Sequence, residues 1–180
     1  MPTLRATLGV KGHRPVVGTW DNKDLVSSFA SMNVVTGQLT TRLLESPAKA
    51  TRRPGSSKTA RVQAAFAAHL RDLARAYPAP LGKPVILTLD NAPWHQGAGI
   101  AEVLAASPQL RLYRLPSYSP QLNLIERLWR VLRRRATHNR LFESMAELKT
   151  ALRANFCYFQ TMRHKVLSLI HSPRKKKMRN

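Results

Sequence analysis

Two stretches decide the fold of this chain: VILTLDNAPWH at residues 85–95 and LPSYSPQLNLIERLW at residues 115–129. The first begins as an unbroken apolar run, typical of a parallel strand covered on both faces, and it ends on the carboxylate of Asp90. The second leads into a predicted helix whose first turn contains Glu126. Open α/β sheets keep their sites beyond the carboxyl ends of their strands. The two acids are therefore candidate oxygen ligands for a hard divalent cation.

Outward from these stretches, the residue patterns predict alternating strands and helices. Leu25–Val35 and Gln38–Leu44 are predicted to form a β-hairpin that reverses at Thr36-Gly37. Short strands are also expected over residues 3–10 and 16–20. The other predicted elements are a helix over Lys58–Tyr77 capped by Ser56 or Ser57, a helix over Gly97–Ala106, a strand over Leu110–Leu115, a helix over Leu124–Ala136 and a helix over Ser144–Phe156 or somewhat longer. This order suits an α/β sheet of mixed direction.

The charge of the chain points to a polyanionic partner. The 180 residues suffice for one domain, and 30 Lys and Arg against 9 acids give a net charge of +21 with a pI near 11.6. Such a field attracts nucleic acid, although a merely soluble basic surface or a ribosome-like binding protein would have the same composition. Cys157 is the single cysteine, and the chain contains neither a signal-peptide core nor an apolar run of the roughly 20 residues that a membrane span requires. We therefore expect a soluble cytoplasmic protein without membrane contact.

Asp90 and Glu126 each have a structural interpretation beside the metal-binding one. Asp90 is suited to capping the turn after its strand by accepting hydrogen bonds from the amides of Ala92 or Trp94. Glu126 has the spacing of a capping box with Asn123, and it lies four residues before Arg130, with which it can pair. In the first helical turn, however, a carboxylate also lies near the positive helix end and can face a cleft.

Basic side chains follow Glu126 along the same predicted helix. Arg127, Arg130, Arg133 and Arg134 are predicted to lie opposite its apolar stripe, as a solvated face or as a row that follows a phosphate backbone. His95 is a candidate ligand or phosphate contact, but the scattered histidines and single cysteine do not suggest a zinc site. The chain contains no phosphate-binding glycine loop of the P-loop type and no Gly-x-Ser-x-Gly motif, which gives no support to an NTPase or a serine hydrolase.

Both stretches resemble the second and third catalytic blocks of the mariner-like insertion-sequence transposases, a branch of the DDE superfamily. The second stretch is the more specific, since it contains Pro-Ser-x-Ser-Pro-x-Leu-Asn-x-Ile-Glu-x-Leu-Trp. The resemblance covers most of residues 4–155 and implies an RNase H-like mixed sheet flanked by helices. It places the catalytic domain at residues 1–160, followed by a basic extension at 161–180 whose tail from about residue 172 is expected to be disordered.

The resemblance also implies a reaction and its site. Three carboxylates of such enzymes hold two divalent ions, Mg²⁺ or Mn²⁺, for cleavage and strand transfer of DNA. Asp90 and Glu126 match two catalytic, metal-binding carboxylates, and Asn91, His95 and Asn123 are the supporting residues. The implied partners are transposon ends and target DNA, with the transposase acting as a homodimer or a larger assembly.

The sequence departs from the family's pattern at the first catalytic Asp. That residue is expected on the first strand, upstream of Lys11–Pro15, and Asp21 and Asp24 fall in a predicted turn instead. We therefore expect a truncated or split transposase lacking the first strand, whose first Asp is lost or carried by an upstream-encoded fragment. Such a chain should bind metal weakly and cleave poorly, which leaves its status as an enzyme open. The alternatives are a non-catalytic basic DNA- or RNA-binding protein and another RNase H-like nuclease.

Overall fold

Four strands form two separate two-stranded sheets in the described part of the chain, residues 25–46, 57–79 and 82–171 of a computed structural model. Strands β1 (Leu25–Met32) and β2 (Leu39–Ser46) pair antiparallel, with Met32 opposite Leu39. Strands β3 (Val85–Leu89) and β4 (Leu110–Arg114) pair in parallel. The predicted hairpin and the predicted parallel strand are both confirmed.

The hairpin turn requires glycine at position 37. The amide of Gly37 donates to the carbonyl of Asn33 at 2.9 Å, and Gly37 has a φ of 70°, in the left-handed region. A Cβ atom at this position would lie 2.5 Å from the carbonyl oxygen of Arg163. Both the backbone conformation and the close packing against a distant part of the chain therefore exclude a side chain here.

Five α-helices accompany the strands in the described residues. They are α1 (Lys58–Ala76), α2 (Ala98–Ala105), α3 (Ile125–Ala136), α4 (Met145–Thr161) and α5 (Arg163–His171), with short 3₁₀ turns at Pro93–His95 and Pro120–Leu122. Ser57 caps α1 by accepting a hydrogen bond from the amide of Ala60, and Ser144 caps α4 in the same way. The predicted helices are therefore confirmed to within a few residues. None of the described helices is long and apolar enough to cross a membrane.

Two hydrophobic clusters hold these elements together. One joins the apolar faces of α1 and α2 to the β3–β4 sheet, through buried residues such as Phe66, Leu70 and Ile100. The other joins α3, α4 and α5 to the hairpin, through residues such as Leu128, Phe156 and Val166. Helix α3 thus carries a continuous buried stripe while its first turn stays near the surface.

The predictions for β3 and for the C-terminal segment need correction. Ile86 is 63% exposed, because α1 and α2 cover only the face of β3 that contains Val85 and Leu87. The apolar run therefore does not mark a strand covered on both faces. Residues 163–171, predicted as part of a basic extension, form α5 instead, and Val166 is fully buried in the core. The predicted strands at residues 3–10 and 16–20, the question of a first strand, and the tail from residue 172 lie outside the described residues.

A polar network fixes the hairpin to α1. The ring of His69 is almost completely buried and its Nε2 lies 2.8 Å from the hydroxyl of Ser31 on β1. Beside it, Arg42 on β2 donates two hydrogen bonds to the carboxylate of Asp72 on α1, at 2.8 and 2.6 Å. Burial, opposed by the charge of Asp72 and aided by that of Arg42, lowers the pKa of His69 to about 4.

We expect His69 to make the stability of the protein depend on pH. An unfolded histidine titrates at 6.5, so between pH 6.5 and about 4 the unfolded chain binds a proton that the folded chain does not. The free energy of unfolding should therefore decrease as the pH is lowered through this window, by up to about 3 kcal/mol at ~1.4 kcal/mol per pKa unit. Urea unfolding at several pH values measures the effect. The variant His69→Gln should show a flatter profile, and an equal slope in both proteins would contradict this assignment.

Arg127 has a structural contact that the sequence did not predict. Its side chain is half-buried, and its Nη1 donates to the carbonyls of Leu169 and Ile170 at 3.0 and 2.6 Å. These carbonyls belong to the last turn of α5, where backbone acceptors have no partner within the helix. Arg127 therefore caps α5, and its predicted place among the exposed arginines opposite the apolar stripe is wrong.

Replacing Arg127 should destabilise the fold rather than only change its charge. We expect Arg127→Met to lower the free energy of unfolding by about 1.5–3 kcal/mol, the value of hydrogen bonds made by a charged group. Arg130→Met is the matched control, because Arg130 is exposed on the same helix and should change stability by less than ~0.5 kcal/mol. Equal losses in the two variants, measured by urea unfolding, would rule out the capping role.

Candidate active site

Asp90 follows β3 directly, and its two carboxylate oxygens have different surroundings. Oδ1 accepts a hydrogen bond from the amide of Ala92 at 3.1 Å and lies 3.1 Å from Nδ1 of His95. Oδ2 has no hydrogen-bond partner among the described residues, and the side chain is 59% exposed. The predicted turn-capping bond to Ala92 is thus confirmed. It occupies one oxygen, so the structural interpretation and a ligand role are compatible.

His95 positions the carboxylate of Asp90. It ends the 3₁₀ turn after β3, and its ring packs against Phe66 of α1 with ring centroids 4.5 Å apart. Nδ1 faces the Oδ1 atom and, at 3.2 Å, the backbone carbonyl of Asp90. A proton on Nδ1 can therefore be donated to Asp90, and this nitrogen is not available as a metal ligand in this arrangement.

Side chains distant in sequence hold this turn in place. Gln63 on α1 donates to the carbonyl of Gln96 at 2.7 Å, and Arg114 at the end of β4 donates to the carbonyl of His95 at 3.3 Å. Sequence reasoning missed Gln63, Phe66 and Arg114, because each acts on the turn through tertiary packing. The only sequence signal near these residues is the apolar periodicity of the helix predicted over Lys58–Tyr77, on whose apolar face Phe66 lies.

Asn91 joins the ends of the two parallel strands. Its Nδ2 donates to the carbonyl of Leu115 at 2.8 Å and lies 3.5 Å from the hydroxyl of Ser117. Leu115 in turn donates its amide to the carbonyl of Leu89. The residue next to Asp90 therefore fixes the start of the 115–119 loop, which leads towards Glu126.

Glu126 lies in the first turn of α3, and the predicted capping box with Asn123 is not formed. The residue before the helix is Leu124, and no side chain caps this end. The amide of Glu126 donates to the backbone carbonyl of Asn123 at 3.1 Å, because the chain enters α3 from the 3₁₀ turn at Pro120–Leu122. The predicted pairing with Arg130 is also wrong: Nη2 of Arg133 lies 3.9 Å from Oε2 of Glu126.

Both acids face the same cavity, which has a volume of about 290 Å³. Its lining also contains the supporting residues Asn91 and Asn123, together with the loop of Leu115, Pro116, Ser117, Tyr118 and Ser119. The structure therefore brings together four of the predicted site residues. The end of β3 supplies Asp90 and Asn91, and the start of α3 supplies Asn123 and Glu126. His95 lies behind Asp90 rather than in the lining.

The oxygen atoms of this cavity are of the kind that a hard divalent cation binds. Its lining contains two acids, Asp90 and Glu126, and two asparagines, Asn91 and Asn123. Within residues 25–46, 57–79 and 82–171, no group of three or more His, Cys, Asp or Glu residues has an arrangement that could hold a metal ion. Asp21 and Asp24, the acids considered as substitutes for the first ligand, lie outside those residues.

Three arginines of α3 form an exposed row, and the other two contact residues of α4 or α5. Arg130, Arg133 and Arg134 are exposed, as the sequence predicted, and we call them the arginine stripe. Arg127 caps α5, as described above. Arg135 lies 4.2 Å above the ring of Tyr158, and its Nε donates to the side-chain oxygen of Asn155.

The fold is similar to that of two solved transposase complexes. A Mos1 transposase paired-end complex with left transposon end has a TM-score of 0.56 and 19% identity, over 94% of this chain and 50% of that one. A Mos1 mariner paired-end complex with Mn has a TM-score of 0.58 and 20% identity, over 94% and 49%. This chain thus spans about half the length of those proteins. The likeness confirms the predicted RNase H-like α/β fold class.

Family membership comes from the sequence itself. No curated protein gave a significant match to this chain. The sequence profile described as DDE superfamily endonuclease matches residues 3–149, which include β3, β4, α3 and both cavity carboxylates. Because this match covers well over half of the 180 residues, the chain belongs to the DDE superfamily endonucleases.

Proposed function

We propose that this chain is the catalytic domain of a DNA transposase, which cleaves DNA phosphodiester bonds and joins the ends to a target. The observation that carries the proposal is the shared cavity: Asp90 from the end of β3 and Glu126 from the start of α3 line one space. Family membership and the likeness to transposase complexes support the same reaction class. The two acids come from separate stretches of the sequence, residues 85–95 and 115–129. The proposed chemistry requires both of them at one site.

The proposal assigns a divalent ion, Mg²⁺ or Mn²⁺, to this cavity. Oδ2 of Asp90, which has no hydrogen-bond partner among the described residues, and the carboxylate of Glu126 would hold it, since both are hard oxygen donors of residues that line the same space. When bound, such an ion activates an attacking oxygen and stabilises the departing one. A third carboxylate is part of the proposal, and its source is Asp21, Asp24 or an upstream-encoded fragment.

Protein residues around the cavity would prepare the carboxylates for this role. His95 and the amide of Ala92 hold Oδ1 of Asp90 and thereby aim Oδ2 away from the turn. Asn91 ties the 115–119 loop to the end of β3, which fixes the cavity wall between the two acids. Such supporting contacts are as necessary to a metal site as its ligands.

DNA is the proposed partner, bound in part by the arginine stripe. Arg130, Arg133 and Arg134 follow Glu126 along one helix, so a DNA backbone that reaches the cavity can continue over them. The similar solved structures are transposase complexes on paired ends, which supports a homodimer or larger assembly on transposon ends and target DNA. We include a cytoplasmic location in the proposal, because Cys157 is an exposed, free thiol.

One observation favours a second candidate, a non-catalytic nucleic-acid-binding protein. The bond from the amide of Ala92 gives Asp90 a sufficient structural reason to be present, and a net charge of +21 alone can bind DNA or RNA. The two candidates differ in what they require of the acids. Only the transposase needs the charges of Asp90 and Glu126.

Removing either carboxylate charge should abolish metal binding and cleavage. We expect Asp90→Asn and Glu126→Gln each to reduce metal-dependent nicking of DNA by more than about 100-fold, since even outer-shell changes cost ~10–100-fold. Titration with Mn²⁺ by calorimetry measures binding independently of cleavage. The matched control is Glu102→Gln, an exposed acid on α2 outside the cavity.

Several outcomes separate the proposals. Unchanged Mn²⁺ binding and nicking in both cavity variants would eliminate the transposase assignment to this site. DNA binding without any nicking, indifferent to both substitutions, would favour the non-catalytic candidate. Robust nicking by this chain alone, lost in Asp90→Ala, would refute the expectation that the chain cleaves poorly.

The arginine stripe should control the salt dependence of DNA binding. We expect Arg130→Ala combined with Arg134→Ala to lower the slope of log K against log salt by ~1 per arginine, because each phosphate contact releases counterions. Arg71→Ala, an exposed arginine on α1, is the control and should leave the slope nearly unchanged. If the double variant keeps the wild-type slope in fluorescence anisotropy titrations, the DNA follows another surface.

A further inference from the structure

Tyr118 has two properties that packing among the described residues does not explain. Its side chain is completely exposed. Its φ is +56°, in the left-handed region that residues with a bulky side chain rarely adopt. An exposed aromatic ring on a residue held in an uncommon backbone conformation is typical of a residue that meets a ligand.

Hydrogen bonds on both sides of Tyr118 hold its loop in place. The hydroxyl of Ser119 donates to the carbonyl of Ser117 at 3.2 Å, and the amide of Leu122 donates to the carbonyl of Ser119 at 3.0 Å. Asn91 holds the other end of the loop through the carbonyl of Leu115. The ring is therefore exposed on a fixed loop and not on a free one.

Tyr118 also lines the cavity that contains Asp90 and Glu126. Other exposed aromatic residues of the described chain, such as Trp94 and Tyr113, do not line it. A phosphodiester bond that reaches the two carboxylates brings its adjoining bases to the rim of the cavity. Among the residues that line the cavity, Tyr118 is the one with an aromatic ring on which such a base could stack.

We infer that Tyr118 stacks on an unpaired base next to the phosphate that occupies the cavity. Aromatic rings bind single-stranded nucleic acid in this way, because every base has a π face, and the interaction tolerates different sequences. The large positive charge of the chain favours a nucleic acid over an apolar peptide as the occupant. The inference rests on the proposed function and adds a strand-separated DNA end as the preferred substrate.

The inference is tested with two DNA probes, a blunt duplex and the same duplex with a short single-stranded 3′ overhang whose first base is 2-aminopurine. Binding is measured by anisotropy in EDTA, so no cleavage is needed. We expect the chain to prefer the overhang by about tenfold, in line with the stacking of one base, and to quench the 2-aminopurine fluorescence. Tyr118→Phe should keep both effects.

Tyr118→Asn should remove both effects without disturbing the fold. Asparagine tolerates the left-handed conformation, so the loop should keep its shape, and thermal unfolding checks this. Binding of the blunt duplex should stay unchanged, because phosphate contacts do not involve the ring. Tyr113→Thr, an exposed tyrosine on β4 outside the cavity, is the matched control and should behave as wild type.

The outcomes distinguish this inference from the proposed function. If the wild-type chain shows no preference for the overhang, or if Tyr118→Asn keeps the preference and the quenching, base stacking is overturned. Metal-dependent cleavage that depends on Asp90 and Glu126 would then still support the transposase. If the chain binds neither probe, both the inference and the proposed function are wrong.

Discussion

The parallel pairing of β3 with β4 is the constraint on which the candidate site depends. Because parallel strands end at the same edge of a sheet, Asp90 and Leu115 leave it side by side. The amide of Leu115 donates to the carbonyl of Leu89, and Asn91 then holds the carbonyl of Leu115. The loop that follows can start only from this point, so the sheet determines where the chain enters α3 and where Glu126 lies.

Helix α3 has both a structural and a chemical role, because one of its faces is buried in the core and its first turn lines the cavity. Its buried residues, Leu128 and Leu132, lie in the core with α4 and α5, while Glu126 faces the cavity. Arg127, next to Glu126, extends to the end of α5 and fixes the helix from the side. The carboxylate therefore belongs to a rigid element anchored at two places, which suits a site whose ligands must keep their positions.

The sequence predicted the elements well and the contacts between them poorly. An unbroken apolar run indicated β3, and apolar periodicity indicated α1 and α3, because these signals are local. The two acidic stretches indicated one shared site. The prediction that Arg127 lies on the exposed face of its helix was wrong, because the carbonyls that it binds lie 42 and 43 residues away in α5. The interpretation of Glu126 as a capping residue failed because the helix entry depends on the preceding 3₁₀ turn. Helix α5 was missed because it is short and begins with Arg163, His164 and Lys165, which resemble a basic tail.

The contact of the hairpin turn with α5 has a consequence for synthesis of the chain. Gly37 packs against the carbonyl of Arg163, and Gln160 donates to the carbonyl of Leu39. The cluster of α3, α4 and α5 therefore cannot close until nearly the whole described chain has left the ribosome. The cluster of α1 and α2 with β3 and β4 needs only residues up to about 114 and can fold earlier. Until then, the face of the hairpin that contains Met32 and Leu39 stays uncovered and open to chaperones and to aggregation during translation, while the opposite face can already pack on α1 through Phe29.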